Sequence, residues 1–294
     1  MKHLITFLTL ALLLGNSFQS AVAQTKQEDH KKELRVFICL DMEGISGVVH
    51  LTDCNEGGMD YQYFRKVATE EVNAAIRGAK KAGATKIVVR DAHETMRNLI
   101  PTLLEPGIDL IRGGDGANPE IMMQGIEQGF DALVFVGHHA AAGTPRGVLA
   151  HTMVVDGVQE FTINGKQIPE MAYCAMIASK YGVKAAYLSG DNVACIQAKE
   201  IFGKDFATTA TKEAFGWKVA KCFPIAQVHK QIEEDVCTAL SNPQNFCFYT
   251  MAAPYQCYLR IKEGKDEKGN TIIKEYNWNS ATLDAMLAEF WKKI

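Results

Sequence analysis

The chain alternates short, unbroken apolar runs with longer stretches in which apolar residues return every three or four positions. Arg35 to Leu40 is the first such run, and it stops at Asp41. A run with no polar face suits a strand covered on both sides, as in parallel sheets. From Tyr61 to Ala82, Phe64, Val67, Ala68, Val72, Ala75 and Ile76 recur at helical spacing, with Gly83 just beyond. Lys86 to Arg90 predicts a second strand, Ile108 to Ile111 a third, and Ala132 to Val136 a fourth. Between the last two, Pro119 to Gln128 predicts a helix with proline near its first turn.

From Val148 to Ile168 the pattern changes. Met153 to Val155 and Phe161 to Ile163 are accompanied by the turn pairs Asp156-Gly157 and Asn164-Gly165, which predicts antiparallel ribbons. A helix opening at Pro169-Glu170 and running to about Tyr181, a strand at Ala185 to Leu188 and a helix at Asn192 to Phe202 restore the alternation. After Phe206 come a strand at Ala207 to Thr211 and a helix at Ile225 to Leu240. Strands at Phe246 to Thr250 and Tyr255 to Ile261 follow, then a polar turn at Lys262 to Asn270. Ser280 caps a closing helix to Lys293. The expected fold is α/β: three α/β/α layers on a largely parallel central sheet over residues 34–205, with a smaller α+β subdomain over 206–294.

The N-terminus changes the picture of where the protein works. Met1-Lys2-His3 is a basic start, Leu4 to Leu14 is apolar, and Ala21-Val22-Ala23 offers small residues before Gln24. That is the layout of a cleaved signal peptide over residues 1–23, with a polar linker over 24–33. The apolar run falls short of the roughly 20 residues a membrane span needs. The mature chain is therefore expected outside the cytoplasm, periplasmic or secreted, with no membrane attachment. A formal net charge of −3 without a basic cluster argues against nucleic acid. Of the eight cysteines no two have C-x-x-C spacing, so a thiolate zinc site is not expected. Most are expected as free thiols, since several sit within apolar patterns.

Three predicted strands end in chemistry. The first runs into Asp41-Met42-Glu43, the second into Asp91-Ala92-His93, and the fourth into His138-His139. Ligands of open α/β sheets bind beyond the carboxyl ends of the strands. Carboxylate and imidazole without thiolate is the donor mix of a hydrolytic zinc or manganese site. Each residue alone also fits a turn or a solvated surface, and Glu170 fits a carboxylate on a helix dipole. On these residues alone, a metal site and a set of unrelated structural roles stand about even.

The segment Cys39-Leu-Asp-Met-Glu-Gly-Ile-Ser-Gly47 resembles the opening signature of the M55 peptidases, the D-aminopeptidase family of bacterial dipeptide-operon proteins. The resemblance continues, in the family's order, through Arg90-Asp-Ala-His93, Gly137-His-His-Ala140, Gly147-Val-Leu-Ala-His151 and Asn164-Gly-Lys-Gln-Ile-Pro-Glu170. It implies two zinc ions held by Asp41, Glu43, His93, His139 and Glu170, with Asp41 shared; manganese or cobalt would also suit these donors. It places a catalytic histidine at His151, as acid, base or nucleophile. It implies a short-peptide substrate and a ring-like homo-oligomer, a decamer in the family. Cys39 stands where the family usually has Ser, and His138 where an aromatic is common. Because neighbouring side chains of an extended segment point apart, only one of the two faces the site easily, and register with the family's motif favours His139. Asp91 and Asp191 are further candidates for orienting groups. A metal-dependent amidase acting on non-peptide substrates and a non-catalytic periplasmic binding protein are the competing readings. A serine hydrolase is disfavoured, since Gly44-Ile-Ser46-Gly47 does not complete a nucleophile elbow.

Overall fold

Alternate residues of the apolar runs serve opposite sides of one sheet, which is why the runs carry no polar face. In the first strand Val36, Ile38 and Leu40 belong to one core, and Phe37 and Cys39 to the other. The computed structural model describes residues 33–294 apart from Ala117, so the expected signal peptide and nearly all of the linker lie outside the described residues. Glu33–Ile294 form one compact unit.

In chain order the strands begin with β1 (Leu34–Leu40), β2 (Ala84–Asp91), β3 (Asp109–Ile111), β4 (Ala132–His138), β5 (Val158–Ile163) and β6 (Lys166–Gln167). They continue with β7 (Lys184–Asp191), β8 (Ala207–Gly216), β9 (Val219–Cys222), β10 (Tyr255–Lys265) and β11 (Thr271–Ser280). The helices are α1 (Leu51–Cys54), α2 (Tyr61–Lys81), α3 (Glu170–Lys180), α4 (Asn192–Phe202), α5 (Ile225–Leu240) and α6 (Leu283–Trp291). The central sheet runs β3-β2-β1-β4-β7-β8-β9 and is parallel except for its last pair. α2 and α5 cover one face. α3 and α4 cover the other, together with α6 and the antiparallel sheet β11-β10-β5-β6.

The chain steps from β1 to β2 on one side and to β4 on the other, so β1 marks the point where the strand order reverses. Leu40 lies opposite both Asp91 and Val136, which brings the ends of three strands level. A crevice at such a reversal is where open α/β sheets bind ligands.

Several local expectations are corrected. Pro119–Gln128 is not an α-helix but two 3₁₀ turns, Ile121–Met123 and Ile126–Gln128, broken by Gly125 at φ 100°. Met153 to Val155 form turns, with Met153 itself left-handed at φ 60°. Phe246 to Thr250 contribute only a bridge between Cys247 and Ala185. The turn expected from Lys262 is shorter, because β10 reaches Lys265 and the ten-residue β11 begins at Thr271. Thr282, not Ser280, caps the last helix. Residues beyond 206 add β8 and β9 to the central sheet and, through β10 and β11, most of the separate antiparallel sheet, where β10 pairs with β5. None of the eight cysteines is disulfide-bonded.

Candidate metal centre

β1 and β4 can deliver their ends to one point because two glycines let the backbones touch. A Cβ on Gly44 would stand 2.2 Å from the His138 carbonyl oxygen, and one on Gly137 would stand 2.2 Å from that of Asp41. In return Gly44 N–H donates to Gly137 O at 2.7 Å and Asp41 N–H to Val136 O at 2.8 Å. The turn after β2 is held by Asp91, which accepts from Asn98 Nδ2 and Leu99 N–H, both at 2.8 Å. Asn98 Nδ2 also donates to the carbonyl of His93. Asp91 is thus a structural brace, and Asp191 is another, capping α4 while accepting Val148 N–H at 2.7 Å. Glu170 is the first residue of α3, with Oε1 accepting Met153 N–H at 2.6 Å. His151 reaches the site on a loop tied back by His151 N–H to Ala140 O.

The structure brings Asp41, Glu43, His93, His139, Glu170 and His151 together, each buried. Asp41 Oδ1 is 3.1 Å from His93 Nδ1, which is also 3.1 Å from Glu43 Oε2. Asp41 Oδ2 is 3.3 Å from His139 Nε2, which is 3.4 Å from Glu170 Oε1. His151 Nε2 stands 3.4 Å from the same Glu170 oxygen and 4.0 Å from Glu43 Oε1. Donor atoms around a tetrahedral zinc ion stand about 3.3–3.4 Å apart. The two oxygens of Asp41 thus face two separate donor groups, each spaced for one ion. His138 is fully buried: its ring packs edge-on against Phe135, and its nearer nitrogen is 3.9 Å from Asp41.

Hydrogen bonding supports the same reading. Asp41 Oδ2, Glu43 Oε2 and His139 Nε2 are buried without a hydrogen-bond partner. Leaving such groups unsatisfied costs about 1–3 kcal/mol each, more when charged. A carbonyl oxygen can only accept, so His139 Nδ1, 2.9 Å from Ala140 O, carries a proton and Nε2 is the nitrogen turned to the carboxylates. Leu149 O does the same for His151 Nδ1 at 2.8 Å. Both histidines therefore keep Nε2 as the nitrogen a cation could take.

Charge follows from the crowding. Burial pushes Asp41 up, but hydrogen bonds from His139 and His93 outweigh it and hold the carboxyl well below its ordinary range. Burial opposes charge on His93, yet Glu43 and Asp41 lift its imidazole well above the usual histidine value. Glu170 and Asp41 overcome burial in the same way at His139. Glu170 is pushed up by burial and pulled lower still by His139. Three buried carboxylates thus draw protons onto their histidines, positions that a metal cation would take in their place.

The walls are strained and largely apolar. Among the described residues, Glu94, Met96, Arg146, Leu149 and Met153 adopt left-handed φ between 43° and 62° in the two loops beside the site. Such conformations disfavour residues other than glycine and cluster where side chains must be aimed. A cavity of about 330 Å³ opens onto Asp41, Glu43, His93, His151 and Glu170, walled by Met96, Ile121, Met122 and Trp291. Sequence reasoning missed Cys54, whose sulfur lies within 4.8 Å of donor atoms of Glu43 and His93. No paired spacing marks that cysteine. It also missed Lys212, described below.

A family model described as D-aminopeptidase, peptidase M55, matches residues 34–282. The chain belongs to the M55 peptidase family. Membership makes it a metallo-aminopeptidase, a hydrolase of peptide N-termini. A D-aminopeptidase of Bacillus subtilis (strain 168) is 34% identical over 209 residues, covering 71% of this chain and 74% of that protein. The solved structure of the Zn-dependent D-aminopeptidase DppA from Bacillus subtilis, described as a self-compartmentalizing protease, superposes with a TM-score of 0.76. That likeness covers 88% of this M55 chain and 97% of the other, at 29% identity.

Proposed function

We propose that this M55 chain removes the N-terminal residue of short peptides, D-residue-containing ones included, with two zinc ions. One would be held by Asp41, Glu43 and His93, the other by Asp41, His139 and Glu170. The observation that carries this reading is the placement of Asp41, with Oδ1 3.1 Å from His93 and Oδ2 3.3 Å from His139. Bound zinc supplies Lewis acidity, polarising a peptide carbonyl and making water acidic near neutral pH. The protein's own groups do the rest. His151, its Nδ1 proton fixed on Leu149 O, offers Nε2 to the cavity as the base that takes a proton from the attacking water. The same nitrogen then returns the proton to the leaving amine. Carboxylates lining the cavity favour a substrate's ammonium terminus, which restricts cleavage to the first residue.

The test is metal analysis of the wild type beside Asp41→Ala and His93→Ala, with a peptide assay on D-Ala-D-Ala and L-dipeptides with and without chelator. The expected result is up to two zinc ions in the wild type, fewer in both variants, and chelator-sensitive cleavage of D-peptides. Unchanged metal content in both variants would overturn the ligand assignment. We further propose that the mature enzyme is exported, from the pattern of residues 1–23, and assembles into a ring. The self-compartmentalizing character of the Bacillus relative supports the second point.

A further inference from the structure

The segment from Glu43 to Val48 leaves β1 in tight turns and buries its backbone, so its carbonyl oxygens need donors from elsewhere. One side chain supplies three. Lys212, wholly buried in β8, donates from Nζ to Glu43 O at 2.6 Å, Ile45 O at 2.8 Å and Val48 O at 2.7 Å. These use every proton of the ammonium. Thr211 Oγ1 donates to Gly44 O at 2.6 Å, and Ser46 N–H donates to Glu71 Oε2 at 2.9 Å.

Consecutive strand residues normally point to opposite faces. Thr211 and Lys212 both reach this turn because β8 is irregular there. Gly190 pairs with Ala210 and Asp191 with Lys212, leaving Thr211 as an extra residue. Such bulges re-aim side chains beside active sites.

Resting on the metal-centre reading above, we propose that Lys212 is a positioning residue whose ammonium, in its cradle of three carbonyls, fixes Glu43 for the ion shared with His93. A lysine buried without such use is rare. It touches neither substrate nor ion, and acts through the backbone of Glu43. Arginine is a poor replacement, because its planar guanidinium spreads its donors over three nitrogens.

The experiment is a chelator competition on the zinc-loaded protein, comparing wild type, Lys212→Met and Lys212→Arg, with cobalt(II)-substituted samples read in the visible. Supporting groups behind a ligand typically set metal affinity by ten- to a hundredfold. Lys212→Met is expected to release the ion at Glu43 and His93 at least about tenfold more readily, ahead of the ion at His139 and Glu170. The cobalt bands of that first ion should shift. A merely structural lysine would instead lower the melting temperature with both ions released together and the cobalt bands unmoved, which overturns the proposal. Wild-type affinities in a folded Lys212→Met protein overturn it as well. If Lys212→Met does not fold, Lys212→Arg decides: weakened first-ion affinity supports the proposal and wild-type affinity ends it. A wild type that binds no zinc would instead mean that the metal centre itself is misread.

Discussion

At the scale of single residues, His151 and His139 make a useful contrast. Their rings stack with centroids 4.0 Å apart, and both reach Glu170 Oε1 with Nε2 at 3.4 Å. Only His139 also meets Asp41, whereas His151 lines the open cavity. His151→Ala is therefore expected to keep its zinc and lose about 10²-fold or more in turnover, the usual worth of a positioned acid–base. Elemental analysis beside a dipeptide assay checks this; zinc lost in step with activity would move His151 into the ligand set. The six buried residues that come together could be singled out from sequence because they follow apolar runs, open a helix or lie in blocks that resemble the family's. Lys212 could not, since a lysine just past an apparent strand end reads as solvated surface. Its partners are carbonyl oxygens, which every residue has, so no side-chain pattern announces the cradle.

At the scale of elements, the strands that carry the site were those most readily read. β1, β2 and β4 are buried on both faces and need unbroken apolar sequence. Elements whose burial is one-sided or partial were harder to see. β11 turns Tyr276 and Trp278 inward among exposed Thr271, Lys274 and Glu275, a pattern easily taken for a polar connection. In Pro119–Gln128 the apolar spacing is real, but left-handed Gly125 and Gly129 break the backbone into separate turns. The contact between β1 and β4 gives a prediction at this scale. Gly44→Ala would drive a methyl to 2.2 Å from the His138 carbonyl oxygen, a clash with rigid backbone. Overpacking of that kind typically costs about 1–3 kcal/mol. A lower melting temperature and weaker zinc retention are expected together, by thermal denaturation and chelator titration. A variant as stable and as fully metallated as the wild type would show that the two strand ends need not touch.

For the molecule as a whole, two expectations concern its place and its company. Protein recovered from cells that export it should begin at Gln24 by mass spectrometry, and an intact Met1 on the active enzyme would refute export with cleavage. In sedimentation it should run as a discrete assembly several times the 32.4 kDa of the full chain, and a monomer at working concentration would rule out the ring. The proposed sharing of Asp41 between two ions would have one more consequence. Its donor sets come from the end of β1, from the turn after β2, from the end of β4 and from the start of α3, segments far apart along the chain. Two ions clasping them would act as a removable cross-link, tightening the folded state in proportion to the logarithm of free zinc. The resilience of this protein is then partly a property of its surroundings: plentiful metal makes a sturdy molecule, and scarcity leaves a looser one that proteases can clear.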